Sequence, residues 1–222
     1  SLVVLAAILA IPSSVIGYYT WDKIALTATR AEHVSKEQAP ELHRIIENLS
    51  ITAGVPTPRI YIISSPALNA FATGRDPKHA SIAVTTGLIE TLEKAELEGV
   101  LAHELSHVQN YDIRFSMIVA IFIGFIVILS DIVTRSMFFG GHSRNRDNRE
   151  NNNQLGALLA VVSIVLIVIS PIIAKIIQLA VSRQREYLAD SSGALLTRYP
   201  EGLAKALEKI AHGQPLQTAS NA

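Results

Sequence analysis

Two nearly uncharged stretches do most to limit what this chain can fold into. From Phe115 to Val133 the one charged side chain is Asp131, and from Leu155 to Ala174 there is none. Each is close to the roughly 20 residues with which a helix crosses the hydrocarbon of a bilayer. The competing reading for each is a core helix hidden on every side. A third, weaker stretch runs from Leu2 to Tyr19 and contains Pro12. Tyr18, Tyr19 and Trp21 close it and Lys23 follows, the mix expected where a span meets lipid headgroups. It has no basic leader and no small-residue cleavage site, so it reads as an anchor rather than a removable signal. Hydrophobic residues at 49% and a mean hydropathy of +0.32 agree with a membrane setting. Lys+Arg and Asp+Glu balance at 19 each, which leaves no basic excess for nucleic acid. With no cysteine, disulfides and thiolate metal ligands are excluded.

The chemistry lies just before the first long stretch. His103-Glu104-Leu105-Ser106-His107 is an H-E-x-x-H pentapeptide within a run that reads as helix. No proline interrupts Thr91 to Ala102, and Leu97, Val100, Leu101, Leu105 and Val108 recur at spacings of three and four. Thr91 is the expected N-cap, with Glu93 in the first turn favoured by the helix dipole. Residues four apart share a helical face, so both imidazoles can reach one zinc ion. Glu104 can then act as general base toward a metal-activated water, a chemistry that hydrolyses peptide bonds without a covalent intermediate. The bland alternative is a surface helix carrying two unrelated histidines.

A catalytic zinc site takes three protein ligands and leaves one position open. Without cysteine the third is His, Asp or Glu, and the best candidate is Glu186 in Ser182-Arg-Gln-Arg-Glu-Tyr-Leu-Ala-Asp190. Asp190, one turn further on, can accept the second ring proton of a liganding histidine and fix its tautomer. Arg183 and Arg185 offer the bland alternative, since they can pair with these acids in a solvated helix end. Topology bears on the choice. If both later spans cross, the chain leaves and returns to one side, and Glu186 rejoins His103 and His107. An odd number of crossings would separate them. Lys23, Arg30, Arg114, Lys175, Arg183 and Arg185 flank the catalytic side, against Arg135, Arg144, Arg146 and Arg149 in the intervening loop. That balance favours a cytoplasmic catalytic domain. The loop is asparagine-rich from Phe139 to Gln154 and reads as solvated, with His142 a bystander.

Upstream lie the parts of a small α+β domain. Pro40 to Ala53 reads as a helix with Leu42, Ile45, Ile46 and Leu49 on one face, ended by Gly54, Pro56 and Pro58. Arg59 to Ile63 and Ser81 to Thr85 read as strands. Between them Asn69-Ala70-Phe71-Ala72-Thr73-Gly74, flanked by Pro66 and Pro77, suits a sheet edge. An exposed edge beside a zinc helix can bind an extended substrate by strand addition; an ordinary loop or strand is the plain alternative. Glu201 to Ala211 reads as a last helix, with Leu203, Leu207 and Ile210 on one face.

Four segments, taken together and in this order, resemble the HtpX-type membrane zinc metalloproteases. They are Asn69-Ala-Phe-Ala-Thr-Gly74, Ala83-Val-Thr-Thr-Gly-Leu88, Val100-Leu-Ala-His-Glu-Leu-Ser-His107 and Ser182-Arg-Gln-Arg-Glu-Tyr-Leu-Ala-Asp190. The resemblance extends over about Trp21 to Ile210. It implies a gluzincin-like fold, one zinc per chain held by His103, His107 and Glu186, and Glu104 as general base. It also implies a multi-pass inner-membrane protein whose active site faces the cytoplasm. Its substrates would be polypeptides, damaged or misfolded membrane proteins removed in stress-related quality control. The segment Asn69, Ala70, Phe71, Ala72, Thr73 would align the substrate backbone. Two departures stand out. The family usually has two spans before the catalytic domain, where one is found here. It also continues into a histidine-proline segment that helps stabilise the tetrahedral intermediate. Either the sequence is a portion of a longer protein, or another donor serves, for which Arg183, Tyr187 and Tyr111 are the candidates.

The expected protein is therefore α+β and predominantly helical. It has a zincin-like catalytic domain, with an active-site helix and a small edge-exposed sheet, fused to membrane-spanning helices. Residues 1–21 form the anchor and 22–114 the first part of the catalytic domain. Residues 115–176 form a transmembrane hairpin with a polar loop at 134–154, and 177–222 the second catalytic part. The expected partners are polypeptide substrates and the lipid bilayer, with no nucleic acid. Two rival readings are a prenyl-protein processing zinc protease and a non-enzymatic membrane protein with structural histidines.

Overall fold

Residue alternation in one short, fully buried strand organises the fold. In the computed structural model, which describes residues 17–121, 123–124 and 183–212, the strand Ala80–Thr85 is buried at all six positions. Successive side chains point to opposite faces. Ile82 and Val84 therefore join the main core, while Ala83 joins a smaller one with Leu26 and Ile63 on the other face.

In chain order the elements are β1 (Glu32–His33), α1 (Pro40–Ala53), β2 (Arg59–Ile63), β3 (Ala70–Gly74), β4 (Ala80–Thr85), α2 (Thr86–Thr91), α3 (Lys94–Gln109), α4 (Arg183–Thr197) and α5 (Pro200–Ala211). A 3-10 turn lies at Pro77–His79, and residues 19–28 and 112–117 are also helical. The sheet order is β1-β2-β4-β3. β2 and β4 run parallel, and β1 and β3 are antiparallel to their neighbours. The architecture is α+β and mostly helical, with one small mixed sheet. β1 was not anticipated from the sequence, because two exposed residues carry no period to read.

The chain divides into two compact units, residues 19–117 with 182–222, and residues 1–18 with 118–181. The second consists almost wholly of residues outside the described set, and so do the expected spans and the polar loop. Among the described residues no helix is long and apolar enough to cross a membrane.

Within the first unit α3 is the central element. Leu97, Val100, Leu101, Leu105 and Val108 are all buried, with Leu101, Leu105 and Val108 fully so. Each such side chain contributes roughly 1.5–3 kcal/mol on leaving water. α1 packs on it through Leu42, Ile45, Ile46 and Leu49 and ends, as its sequence foretells, at Gly54 in the left-handed region with φ 69°. The N-terminus of α3 differs from the expectation. Thr91 closes the short helix α2, Leu92 is drawn into the core, and Glu93 caps α3. Glu93 and Glu96 satisfy each other's backbone N–H groups in a capping box, which a hydroxyl at Thr91 cannot match.

α4 and α5 reach α3 through small residues. A Cβ on Gly202 would lie 2.5 Å from the Ala95 carbonyl oxygen, and one on Gly193 would lie 3.1 Å from the His103 nitrogen. Lys209 on α5 adds an ion pair to buried Glu96 at 2.6 Å. On α5 the buried face is Gly202, Leu203 and Ala206 with Ile210 beside it, whereas Leu207 is half-exposed. The expected stripe was thus turned by part of a helical step.

Candidate metal centre

His103 and His107 stand one turn apart on α3, both mostly buried, and their Nε2 atoms approach to 3.2 Å. Glu186 on α4 brings its Oε2 to 3.5 Å from His103 Nε2. One donor atom from each of the three lies within 4.8 Å of the others. Each imidazole is backed by a carboxylate. Asp190 Oδ1 lies 2.9 Å from His103 Nδ1, and Asp112 Oδ2 lies 3.0 Å from His107 Nδ1. The first is an ion-pair contact rather than a hydrogen bond. Both partners favour the tautomer with its proton on Nδ1, which leaves the Nε2 lone pairs turned toward each other. Burial, then the neighbouring His107, pulls the His103 pKa below its ordinary value against the opposing effect of Asp190 and Glu186. Two imidazole nitrogens and a carboxylate converging on one point form a donor set suited to a divalent cation.

Glu104 lies in the cleft between this cluster and the sheet. Its Oε2 accepts the backbone N–H of Ala72 at 3.0 Å. Burial raises its pKa to about 7, with Glu186 adding to the rise and with His107 and the Ala72 hydrogen bond opposing it. Part of the side chain still opens to the cleft. At that value the carboxyl is poised to take and return a proton near neutrality.

β3 is one of the sheet's two edge strands among the described residues. Ala72 spends its N–H on Glu104, so its backbone faces away from β4. By antiparallel alternation Ala70 faces the same open edge, while Phe71 and Thr73 face Ala83 and Ser81 in β4. Asn69 continues the pairing by accepting the Thr85 N–H at 3.0 Å. The cleft between β3 and α3 encloses about 230 Å³ and is lined by Ala70, Phe71, Ala72, Thr73, Glu104, His107 and Glu186, with Asp112 and Trp21 on its walls. Trp21, expected at a lipid interface, lies in this wall.

Three candidates fall elsewhere. Arg183 is exposed and does not line the cleft, and Tyr187 and Tyr111 are exposed as well. Asp112 and Arg185 do reach the site. Asp112 was missed because its carboxylate follows His107 by five residues, off the helical face, and returns through a turn at Tyr111 with φ 61°. A polar residue just after such a turn was the available signal.

Comparison with known proteins places this geometry in a family. The sequence profile of peptidase family M48 matches residues 36–220. A protein named Protease HtpX homolog from Caldanaerobacter subterraneus subsp. tengcongensis is 47% identical over 99% of this chain and 73% of its own length. One of the same name from Dictyoglomus thermophilum is 45% identical over 92% of this chain, which spans 66% of that relative. Among solved structures, Ste24p from S. mikatae superposes with a TM-score of 0.60 at 20% identity, covering 98% of this chain and 53% of that one. That last likeness is one of fold.

Proposed function

The chain belongs to peptidase family M48, a family of metallopeptidases, and on that premise we propose that it is a zinc endopeptidase working at a membrane. The observation that carries the reading is the convergence of His103, His107 and Glu186 beside buried Glu104 and the open edge of β3. His103, His107 and Glu186 would hold the ion. When bound, zinc supplies Lewis-acid polarisation of the scissile carbonyl and lowers the pKa of the attacking water. The residues of the chain do the rest. Glu104 takes the proton from the water and returns it to the leaving amine. Asp190 holds the His103 ring in the tautomer a ligand needs. Ala70 and the Ala72 carbonyl face the open edge of β3, so a substrate in extended form adds to β3 as a further strand and brings its carbonyl beside Glu104. We assign no oxyanion role to Arg183, which does not line the cleft.

The membrane setting rests on the nearly uncharged stretch from Phe115 to Val133 and the uncharged one from Leu155 to Ala174, and the cytoplasmic orientation on the Lys and Arg distribution. The resemblance to HtpX-type proteases supports a role in clearing damaged membrane proteins. Those relatives match nearly the whole chain at 44–47% identity, which favours this reading over prenyl-protein processing. Membership of a peptidase family sets aside the non-enzymatic alternative.

Zinc stoichiometry in detergent-purified protein tests the proposal. Wild type should bind one ion, Glu186→Ala should lose or greatly weaken it, and Glu104→Gln should keep the ion and lose turnover. Zinc retained unchanged by Glu186→Ala would remove Glu186 from the ligand set.

A further inference from the structure

We propose that Asp112 and Arg185 form a positioning pair that sets the His107 ring and makes its orientation depend on the docking of α4. The inference rests on the reading of His107 as a metal ligand. The side chain of Asp112 is 10% exposed, and its two oxygens have different partners. Oδ2 lies 3.0 Å from His107 Nδ1, and Oδ1 lies 3.3 Å from Arg185 Nη1. A carboxylate this buried needs such partners to offset the water it gives up.

Arg185 is fixed in turn. Its guanidinium lies 3.8 Å over the Phe115 ring, and Nη1 is out of reach of solvent with no hydrogen bond of its own. Its hold on Asp112 is therefore electrostatic, reinforced by stacking. Arg185 also adjoins Glu186 in sequence. The element that delivers the third candidate ligand thus carries, one residue earlier, the cation that anchors the carboxylate behind the second.

The backbone adds a second mark of purpose. Tyr111 holds φ 61°, a left-handed conformation that L residues seldom adopt, and the turn returns Asp112 to α3 just after its end. The residue at the turn is not glycine, so the surrounding contacts hold it there. An exposed ion pair of the same composition would contribute little. Here the carboxylate is buried and linked to a ring whose Nε2, on this reading, points at a metal.

The two imidazoles consequently have separate supports. Asp190 on α4 backs His103 directly. Asp112 backs His107 from the segment after α3, and α4 acts on it through Arg185. Without α4 the site would lack Glu186 and Asp190, and Asp112 would lack the cation that holds it.

The test uses the whole chain, stripped of metal, then titrated with zinc against a chromophoric chelator and with cobalt(II) followed by visible absorption. Asp112→Ala should weaken zinc by about ten- to a hundredfold, the range for removing a ligand's outer partner, and should alter the cobalt ligand-field bands. Arg185→Leu, which keeps apolar contact with Phe115, should weaken zinc less. Adding it to Asp112→Ala should produce no further loss, because Arg185 acts through Asp112. If far-UV dichroism shows the alanine variant unfolded, Asp112→Asn, equal in shape and without charge, carries the same comparison. Zinc affinity and cobalt bands unchanged in the Asp112 variants would overturn the pair. So would an Arg185→Leu effect that persists undiminished without Asp112. Wild type that binds no zinc would instead overturn the metal assignment itself, and this inference with it.

Discussion

Replacing Glu104 with glutamine tests the electrostatics of the site without any substrate. Burial lifts this carboxyl from an ordinary 4.5 to about 7. At about 1.36 kcal/mol per pH unit, that difference amounts to roughly 3 kcal/mol, and the part of the side chain open to the cleft lowers it to about 2–3 kcal/mol. The folded protein holds this proton more tightly than the unfolded chain. Its contribution to stability is therefore full below pH 4.5 and is lost as pH rises through about 7. Glutamine keeps an acceptor for the Ala72 N–H and has no charge to bury. In metal-free protein the two forms should be nearly equal at pH 5, and the variant should be more stable by about 2–3 kcal/mol at pH 8.5. Urea unfolding followed by the single tryptophan, Trp21 in the cleft wall, measures the gap at both pH values. Zinc should narrow the gap at high pH, because a nearby cation favours the ionised acid. A gap independent of pH in the metal-free protein would refute the reasoning.

Two further predictions follow from backbone geometry. Ala72→Pro removes the N–H that reaches Glu104 but leaves Phe71 and Thr73 to pair with β4, so the variant should fold, with unchanged far-UV dichroism. A hydrogen bond to a charged group is worth about 1.5–3 kcal/mol, so kcat/KM on a peptide substrate should fall by roughly ten- to a hundredfold. Gly202→Ala would drive a methyl to 2.5 Å from the Ala95 carbonyl oxygen. Overpacking of about 1–3 kcal/mol should exceed the gain of up to about 1 kcal/mol in helix propensity, and calorimetry should record a lower Tm. A raised Tm would show that α5 can slide to make room.

The elements legible in the sequence were those whose residues repeat a local period. α1 was read at its observed bounds from Leu42, Ile45, Ile46, Leu49 and the glycine that ends it, and β2 from an apolar run closed by turn residues. The pairing of His103 with His107 was legible because a helix fixes residues four apart. Glu186 and Asp190 were found by a different logic, in which chemistry asked for a carboxylate and the sequence offered one helix suited to supply it. What stayed hidden was what tertiary contact alone decides. The cap at Glu93 depended on Leu92 being drawn inward, and the buried stripe of α5 on which side meets α3. Asp112 and Arg185 look like ordinary surface charges until the turn at Tyr111 and the docking of α4 bring them together.

That docking shows why the site can be built from two distant segments. Ala189 and Gly193 leave α4 without bulk where it meets α3, and a Cβ at Gly193 would stand only 3.1 Å from the His103 nitrogen. Glu186 and Asp190 share that small-residue face, at intervals of seven and three from Gly193, so one approach of the helix delivers both acids. Metal–donor distances tolerate errors of only about 0.2 Å. A carboxylate on a mobile loop would meet that tolerance poorly, whereas one held by backbone against backbone meets it whenever the helices are in register. The same closeness gives Arg185 its reach to Asp112. The placement of the two acids and the reach of Arg185 to Asp112 therefore have one origin, the absence of side-chain bulk at Gly193.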